Sequence, residues 1–352
     1  MPAAKRKPLP LPVTYPPMEA RLVAELPTGP EWQYEPKWDG FRCLVFRDGA
    51  DVTLMSKAGK PLGRYFPELI DRIRAVPAKR FVLDGEIVVP LGDSLSFDEL
   101  LMRIHPAKSR VTRLAAERPA SFVAFDLLVD ERGHSLVDDP LVNRRAALEA
   151  FMESNVGGDG SEGSRLLLSP ATSRSATVQK WFRSVGGGLD GVVAKRLDLP
   201  YRSGERTGMV KVKAMRTAEC VVGGFRYASK GEVVGSLLLG LYDEEGLLHH
   251  VGFTSNIPSG EKAGLTKKLE RLVKEPGFTG QAPGGPSRWS TERSAEWQPL
   301  APKLVVEVRF DHFSGGRFRH GTSFLRWRPD KAPRQCTLAQ VEAEERSALA
   351  LL

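Results

Sequence analysis

Along the first two hundred positions, apolar residues fall in short β-rich runs separated by stretches with helical spacing. FRCLVFRD (41–48), ADVTLMS (50–56), RFVLDGEIVVP (80–90), SFVAFDLLVD (121–130), RLLLSPA (165–171), GVVAKR (191–196) and MVKVKA (209–214) read as strands. YFPELIDRIRAV (65–76), SFDELLMRI (96–104), NRRAALEAFME (143–153) and ATVQKWFRSV (176–185) space their apolar residues three and four apart among good helix formers. The helices come at irregular intervals, which predicts an α+β domain of mostly antiparallel sheets. Beyond Lys213 the texture changes. AECVVGGFRY, VGSLLLGLYD, LLHHVGFT and KLVVEVRFDHF have hairpin-like spacing, with one helical stretch, GLTKKLERLVKE, among them. That set suits a small β-barrel of the OB type, with the boundary near residues 214–219. Residues 1–16 read as a Pro-rich leader, and 154–165 and 281–300 as exposed loops. TLAQVEAEERSALALL reads as an amphipathic helix packed on the barrel.

A chain of 352 residues is long enough for two domains at about 150 residues each. No apolar run approaches the roughly 20 residues that cross a bilayer, and the basic start lacks an apolar stretch of signal-peptide length. A cytosolic protein is expected. Cys43, Cys220 and Cys336 are far apart and odd in number, with no C-x-x-C, which argues for reduced thiols and against zinc. The net charge of +8 favours polyanions. With no basic amphipathic helix in view, nucleic acid or nucleotide is favoured over membrane. Gly158, Gly160 and Gly163 form a G-x-G-x-x-G, but it follows a helix and leads into a strand, the wrong context for a dinucleotide fingerprint. No G-x-x-x-x-G-K-[ST], H-E-x-x-H or G-x-S-x-G occurs.

EPKWDGFR (35–42) holds one lysine, Lys37, among Pro36, Trp38, Asp39 and Gly40. A free lysine titrates at about 10.4 and is a poor nucleophile at neutral pH; partial burial and nearby cations activate it. Pro36 and Trp38 can supply a desolvated wall, and Asp39 can orient the amine or its reaction partner. The stretch alone fits a strand-end lysine paired with Asp39 equally well. LDGEIV (83–88) places Glu86 just inside a strand, and FVAFDLL (122–128) offers Phe125 for stacking on a base. LDGVVAKR (189–196) puts Asp190 at the start of an apolar strand. In MVKVK (209–213), Lys211 and Lys213 share one strand face, where two ammonium groups oppose protonation of a third amine and attract phosphate.

The order K-x-D-G-x-R, L-D-G-E, F-D-L-L, D-G-V-V-A-K and V-K-V-K resembles the covalent nucleotidyltransferases, which comprise ATP-dependent DNA ligases, RNA ligases and capping enzymes. FLRWRPDKAP (324–333) looks like the R-x-D-K motif that ligases carry on the OB domain. The similarity runs from about residue 17 to 333 and is greatest to stand-alone bacterial ATP-dependent ligases of the ligase C group. It implies a nucleotidyltransferase domain over 17–214 and an OB domain over 215–352. It implies that Lys37 forms a lysyl-AMP from ATP, passes AMP to the 5′-phosphate of a DNA nick, and that a 3′-hydroxyl then displaces it. It further implies that Glu35 contacts adenine, that Phe125 stacks on it, and that Glu86 bonds the ribose. Arg42 and Lys57 would reach the ribose or the nick phosphate, and Lys195 belongs to the same nucleotide-binding set. Lys211 and Lys213 would bind the α-phosphate, and Asp190 with Glu86 a Mg²⁺ or Mn²⁺. Arg328, Asp330 and Lys331 would orient the leaving pyrophosphate. Two residues depart from the pattern. Lys57 stands in SKAG where S-R-x-G is usual, keeping the charge without the guanidinium fork, and Asp190 stands where many DNA ligases have glutamate. The implied setting is a monomer in the bacterial cytosol acting on nicked double-stranded DNA in repair, alongside a Ku-type end binder. Capping-type guanylyl transfer and an inactive OB-type nucleic-acid binder are the alternatives.

Overall fold

The structure, a computed structural model, describes residues 7–92, 94–156, 165–183, 189–229, 231–284, 296–341 and 351. It divides into two compact units: residues 1–214 with 345–352, and residues 215–344. The strands of the first unit are β1 (Arg21–Leu22), β2 (Trp32–Trp38), β3 (Phe41–Asp48), β4 (Asp51–Ser56), β5 (Arg80–Val88), β6 (Ser121–Val129), β7 (Leu166–Leu168), β8 (Leu189–Arg196) and β9 (Met209–Lys213). Its helices are α1 (Pro67–Ala75), α2 (Phe97–Arg103), α3 (Lys108–Glu117), α4 (Leu141–Val156) and α5 (Ser175–Arg183). One sheet has the order β4-β3-β5-β6-β7 and the other β1-β9-β8-β2. Each is antiparallel except at one edge, where β7 joins β6 and β1 joins β9 in parallel.

The apolar runs follow from burial on both faces of the five-stranded sheet. Alternate residues of β3 enter two different cores: Cys43 and Val45 pack with Leu69 and Ile73 of α1, while Leu44 and Phe46 pack with Tyr201 and Met209 on the side of the second sheet. Pro67 opens α1, where its missing N–H costs nothing, and the Ser96 hydroxyl caps α2 by accepting from Glu99 N. The sequence pattern does not show β2, the strand that carries Lys37. WQYEPKW mixes apolar, acidic and proline residues, and Pro36 is tolerated because β2 is an edge strand. Helix α3 is likewise absent from the pattern reading.

Part of the N-terminal Pro-rich stretch belongs to the first unit: Leu11 is buried, and Arg80 donates to the carbonyls of Lys7 and Pro8. The glycine triplet at 158–163 lies outside the described residues, as do 285–295 of the expected loop at 281–300 and 342–350 of the expected C-terminal helix. Around them, Gln298–Pro299 forms a short strand, Leu338–Gln340 a 3₁₀ turn, and Leu351 packs beside Trp181 and Val178 of α5.

The second unit contains β10 (Arg216–Tyr227), β11 (Val234–Tyr242), β12 (Leu248–Thr254), β13 (Gln298–Pro299), β14 (Val305–Phe310), β15 (Ser323–Trp327) and helix α6 (Lys262–Glu270). The sheet order is β12-β11-β10-β14-β15, with β13 also on β10. The sheet curls around a core that includes Val222, Leu239, Val251 and Val306. Its two edges meet at a single bridge, Thr254–Thr322, so among the described residues the barrel is curled and not a closed ladder.

Two glycines permit contacts on which the first unit depends. Gly191, at φ +146°, lies where a Cβ would come within 2.0 Å of Val212 O, and Gly40 where one would come within 2.2 Å of Ile87 O. Gly191→Ala should destabilise the protein by about 2 kcal/mol or more, through strain and the forced parting of β8 and β9. Gly260→Ala, with open space around it, should be near neutral. Denaturant melts of both variants check this; equal effects would show that the close approach at Gly191 is not limiting.

Candidate active site

Within the first unit a cavity of about 200 Å³ is lined by residues of both sheets and by segment 17–20. Lys37 comes from β2, Arg42 from β3, Glu86 from β5, Phe125 from β6, Lys195 from β8 and Lys211 from β9. Glu35 and Lys57 also line it, so eight of the residues singled out in the sequence meet at one place. Lys213 shares the strand with Lys211, and neither it nor Asp39 or Asp190 lines the cavity directly. Asp190 nevertheless reaches the nucleophile candidate: Lys37 Nζ lies 2.5 Å from Asp190 Oδ2.

Two irregularities in the ladders aim two of these side chains. Trp38 pairs with Leu189 and Lys37 with Gly191, leaving Asp190 as the extra residue of a bulge. Asp84 pairs with Asp126 and Gly85 with Ala124, leaving Phe125 as the extra residue of another. A bulge bends its strand and redirects one side chain. Both therefore place their residue where a regular ladder would not.

The cations are handled in two ways. Some are neutralised. Lys195 Nζ donates to Glu35 Oε2 at 2.8 Å, both groups buried, and Gln33 donates to the other Glu35 oxygen. Arg42 donates from Nε and Nη2 to the two oxygens of Asp84, each at 2.6 Å. Asp84 is fully buried and also accepts from the Tyr201 hydroxyl, which in turn accepts from Met18 N. Lys57 pairs with Glu19 at 3.1 Å. Lys211 is treated differently. Its pKa is lowered by burial and then by Lys37, Lys57, Lys213 and Arg206, all cations. Gathering like charges at a half-buried wall is costly unless an anion arrives to meet them.

The ring of Phe125 carries two cations, Arg42 Cζ and Lys195 Nζ, each 4.5 Å from its centroid. A base stacking on that ring would share it with them. Asp84, Tyr201, Gln33, Met18 and Glu19 were not picked out from the sequence. An aspartate inside the apolar run RFVLDGEIVV was the one available signal for Asp84, since a fully buried carboxylate requires partners.

In the second unit, the expected R-x-D-K residues form a cluster of their own. Arg328 forks onto Asp330, from Nη2 at 2.8 Å, and Lys331 Nζ lies 2.8 Å from Glu219 Oε2. Arg328 also donates from Nη1 to Glu219 Oε1.

Glu86 is partly exposed on the cavity wall, yet loss of hydration pushes its carboxyl up to about 8, against the pull of Arg42 and Lys37 and with help from Asp39 and Asp84. Between its ordinary value of 4.5 and about 8, the folded protein holds a proton that the unfolded chain lacks. The folded state therefore loses stability as pH rises through that window. Glu86→Gln has no such proton, so its melting temperature should gain on the unaltered protein from pH 5 to 8 and level off above. Melts across that range test this, and a pH-independent difference would contradict it.

Comparison with known proteins agrees with the geometry. Residues 18–213 match the family described as ATP dependent DNA ligase domain, and residues 230–331 that of ATP dependent DNA ligase C terminal region. DNA ligase C2 of Mycolicibacterium smegmatis is 44% identical over 96% of this chain and 97% of its own length. DNA ligase C of Mycobacterium tuberculosis is 43% identical over 94% and 95%. The multifunctional non-homologous end joining DNA repair protein LigD of M. tuberculosis is 30% identical over 86% of this chain and 37% of its own length. A solved structure from work on Lig E DNA ligases has the same fold, with a TM-score of 0.51 at 16% identity over 88% of this chain and 100% of that one. With both family matches in chain order and near-full-length relatives above 40% identity, the chain belongs to the ATP-dependent DNA ligases.

Proposed function

We propose that the chain seals nicks in double-stranded DNA through three displacements at phosphorus, with Lys37 as the nucleophile. The observation that carries this is the Lys37–Asp190 contact of 2.5 Å beside a cavity with a cationic wall. In the first step Lys37 Nζ attacks the α-phosphorus of ATP. The N–P bond forms, the bond to the bridging oxygen breaks, and pyrophosphate leaves with the electron pair. Asp190 Oδ2 stands within hydrogen-bond reach of the amine and takes its proton. In the second step a 5′-phosphate oxygen of the nick displaces the lysine, which recovers a proton. In the third, the 3′-hydroxyl attacks that phosphate and AMP departs.

Beyond the nucleophile and its proton acceptor, these steps need placement and charge neutralisation from the protein. Lys211 faces the charge that grows on the α-phosphoryl oxygens, and Lys213 supports it from the same strand face. Glu35, held by Lys195 and Gln33, presents a fixed acceptor edge toward the base, and Phe125 offers its ring. Arg42, clamped by Asp84, and the more exposed Lys57 serve the ribose or the nick phosphate. Arg328, Asp330 and Lys331 take the pyrophosphate.

The residues present suit a divalent cation. Asp190 and Glu86 would hold Mg²⁺ or Mn²⁺, hard ions that take oxygen ligands, and such an ion would offset charge on the triphosphate. With its carboxyl raised to about 8, Glu86 would release a proton on taking up such an ion at neutral pH. Resemblance to the non-homologous end joining DNA repair protein LigD supports a place in DNA repair, where a Ku-type end binder is the partner that the motifs imply.

Incubation with α-³²P-labelled ATP and a divalent cation, followed by denaturation, should leave acid-labile label on the polypeptide, with none from GTP. Lys37→Ala should abolish the label, a loss of at least about 10³-fold given what removal of a covalent nucleophile costs, while melting like the unaltered protein. A labelled Lys37→Ala would refute the assignment of the nucleophile, and labelling by GTP would favour guanylyl transfer.

A further inference from the structure

The R-x-D-K segment is held by a residue outside every motif that the sequence displays. Glu219 lies on β10, opposite Glu307 on β14, which is in turn opposite Arg326 on β15. Its two carboxylate oxygens divide between the segment's two cations: Oε1 accepts from Arg328 Nη1, and Oε2 lies 2.8 Å from Lys331 Nζ. The backbone at Glu219 is fixed as well. Glu219 N donates to Gln340 Oε1 at 3.1 Å, and Gln340 Nε2 donates to Glu219 O at 3.3 Å.

Asp330, the motif's own acid, also binds Arg328, but its side chain is 63% exposed against 20% for Glu219. The outer contact is screened by water and readily exchanged; the inner one is screened less. An ammonium has three donors and a guanidinium five. Glu219 thus fixes the spacing of Arg328 and Lys331 while leaving donors on each for another anion.

We propose that Glu219 is the positioning residue of the R-x-D-K segment, setting Arg328 and Lys331 side by side so that together they grip the pyrophosphate leaving in the first step. The inference rests on the ligase reading above, and deepens it by naming a residue that acts through the motif without touching substrate. Loss of the carboxylate leaves Arg328 to Asp330 and Glu307 and removes the anchor it shares with Lys331, so the two cations no longer keep a fixed spacing, which slows the step in which charge grows on pyrophosphate. The later steps, in which pyrophosphate takes no part, do not depend on it.

The full-length protein with Glu219→Gln should show a self-adenylation rate constant from ATP lowered roughly 10- to 100-fold, the loss expected for one charge-assisted anchor. Sealing of chemically pre-adenylated nicked DNA should stay within about twofold of the unaltered protein. Glu219→Asp, which keeps the charge on a shorter arm, should recover part of the first step. A fall in both steps alongside a lower melting temperature would reduce Glu219 to a structural role and overturn the proposal. So would normal adenylation of Glu219→Gln where Arg328→Ala adenylates poorly. Failure of the unaltered protein to take up label is a different result, since it would count against the ligase reading itself.

Discussion

A lysine of β2 and an aspartate 153 residues later meet at 2.5 Å, and much of the first unit is arranged so that they can. The aspartate reaches Lys37 because its strand bulges by one residue at 190. The bulge is possible because the next residue is glycine, with a positive φ and Val212 O where a Cβ would stand. β9 follows as the neighbour of β8 and brings Lys211 into the same cavity. One backbone irregularity thereby fixes an acceptor for the amine and the position of a second cation at the cavity wall. The edge placement of β2 belongs to the same logic, because Pro36 beside Lys37 could not be accommodated in the middle of a sheet.

The second constraint is charge. Cations from four strands and from Lys57, just after β4, converge on the cavity, and a low-dielectric wall magnifies their repulsion. Four of them are countered by carboxylates: Lys37 by Asp190, Arg42 by Asp84, Lys195 by Glu35, and Lys57 by Glu19. Burying such pairs contributes little net stability, since desolvation offsets the attraction. What it gives is orientation. A guanidinium forked onto a fully buried carboxylate, itself bonded to Tyr201, has one rotamer available to it. Lys211 is left to carry the unfavourable field, as suits a residue whose partner arrives with the substrate.

Much of this was legible in the sequence, and the exceptions have physical causes. Runs such as FRCLVFRD and SFVAFDLLV declare themselves because both faces of their sheet are buried. Lys37, Glu86, Phe125, Asp190 and Lys211 were found through their motifs, each a short string with a chemical reason. β2 was hidden because an edge strand with a proline and alternating charges satisfies no periodicity. The bulges were hidden because an extra residue leaves no mark on composition; only the pairing register reveals that Asp190 and Phe125 are the residues displaced. Tyr201 and Glu219 were hidden because they act through partners far away in the chain, and a hydrogen bond across 117 residues has no local signature. Among the described residues, the incomplete closure of the second unit's sheet follows similarly from where its edges end, a matter of long-range register that strand composition does not encode.

The two groups of basic residues differ in a way that bears on a reaction in three steps. At the cavity wall, Lys211 is surrounded by other cations, a standing demand for phosphate. In the second unit, Arg328 and Lys331 are already matched by Glu219 and Asp330, with Glu307 close to Arg328 as well. The first arrangement favours keeping an α-phosphate through every step in which AMP is covalently held. In the second, phosphate must displace carboxylate, so binding is weaker and release is easier. In the proposed reaction pyrophosphate takes part in one step and then leaves, while AMP is held through two; the charge balance of each cluster suits the group that the proposal gives it.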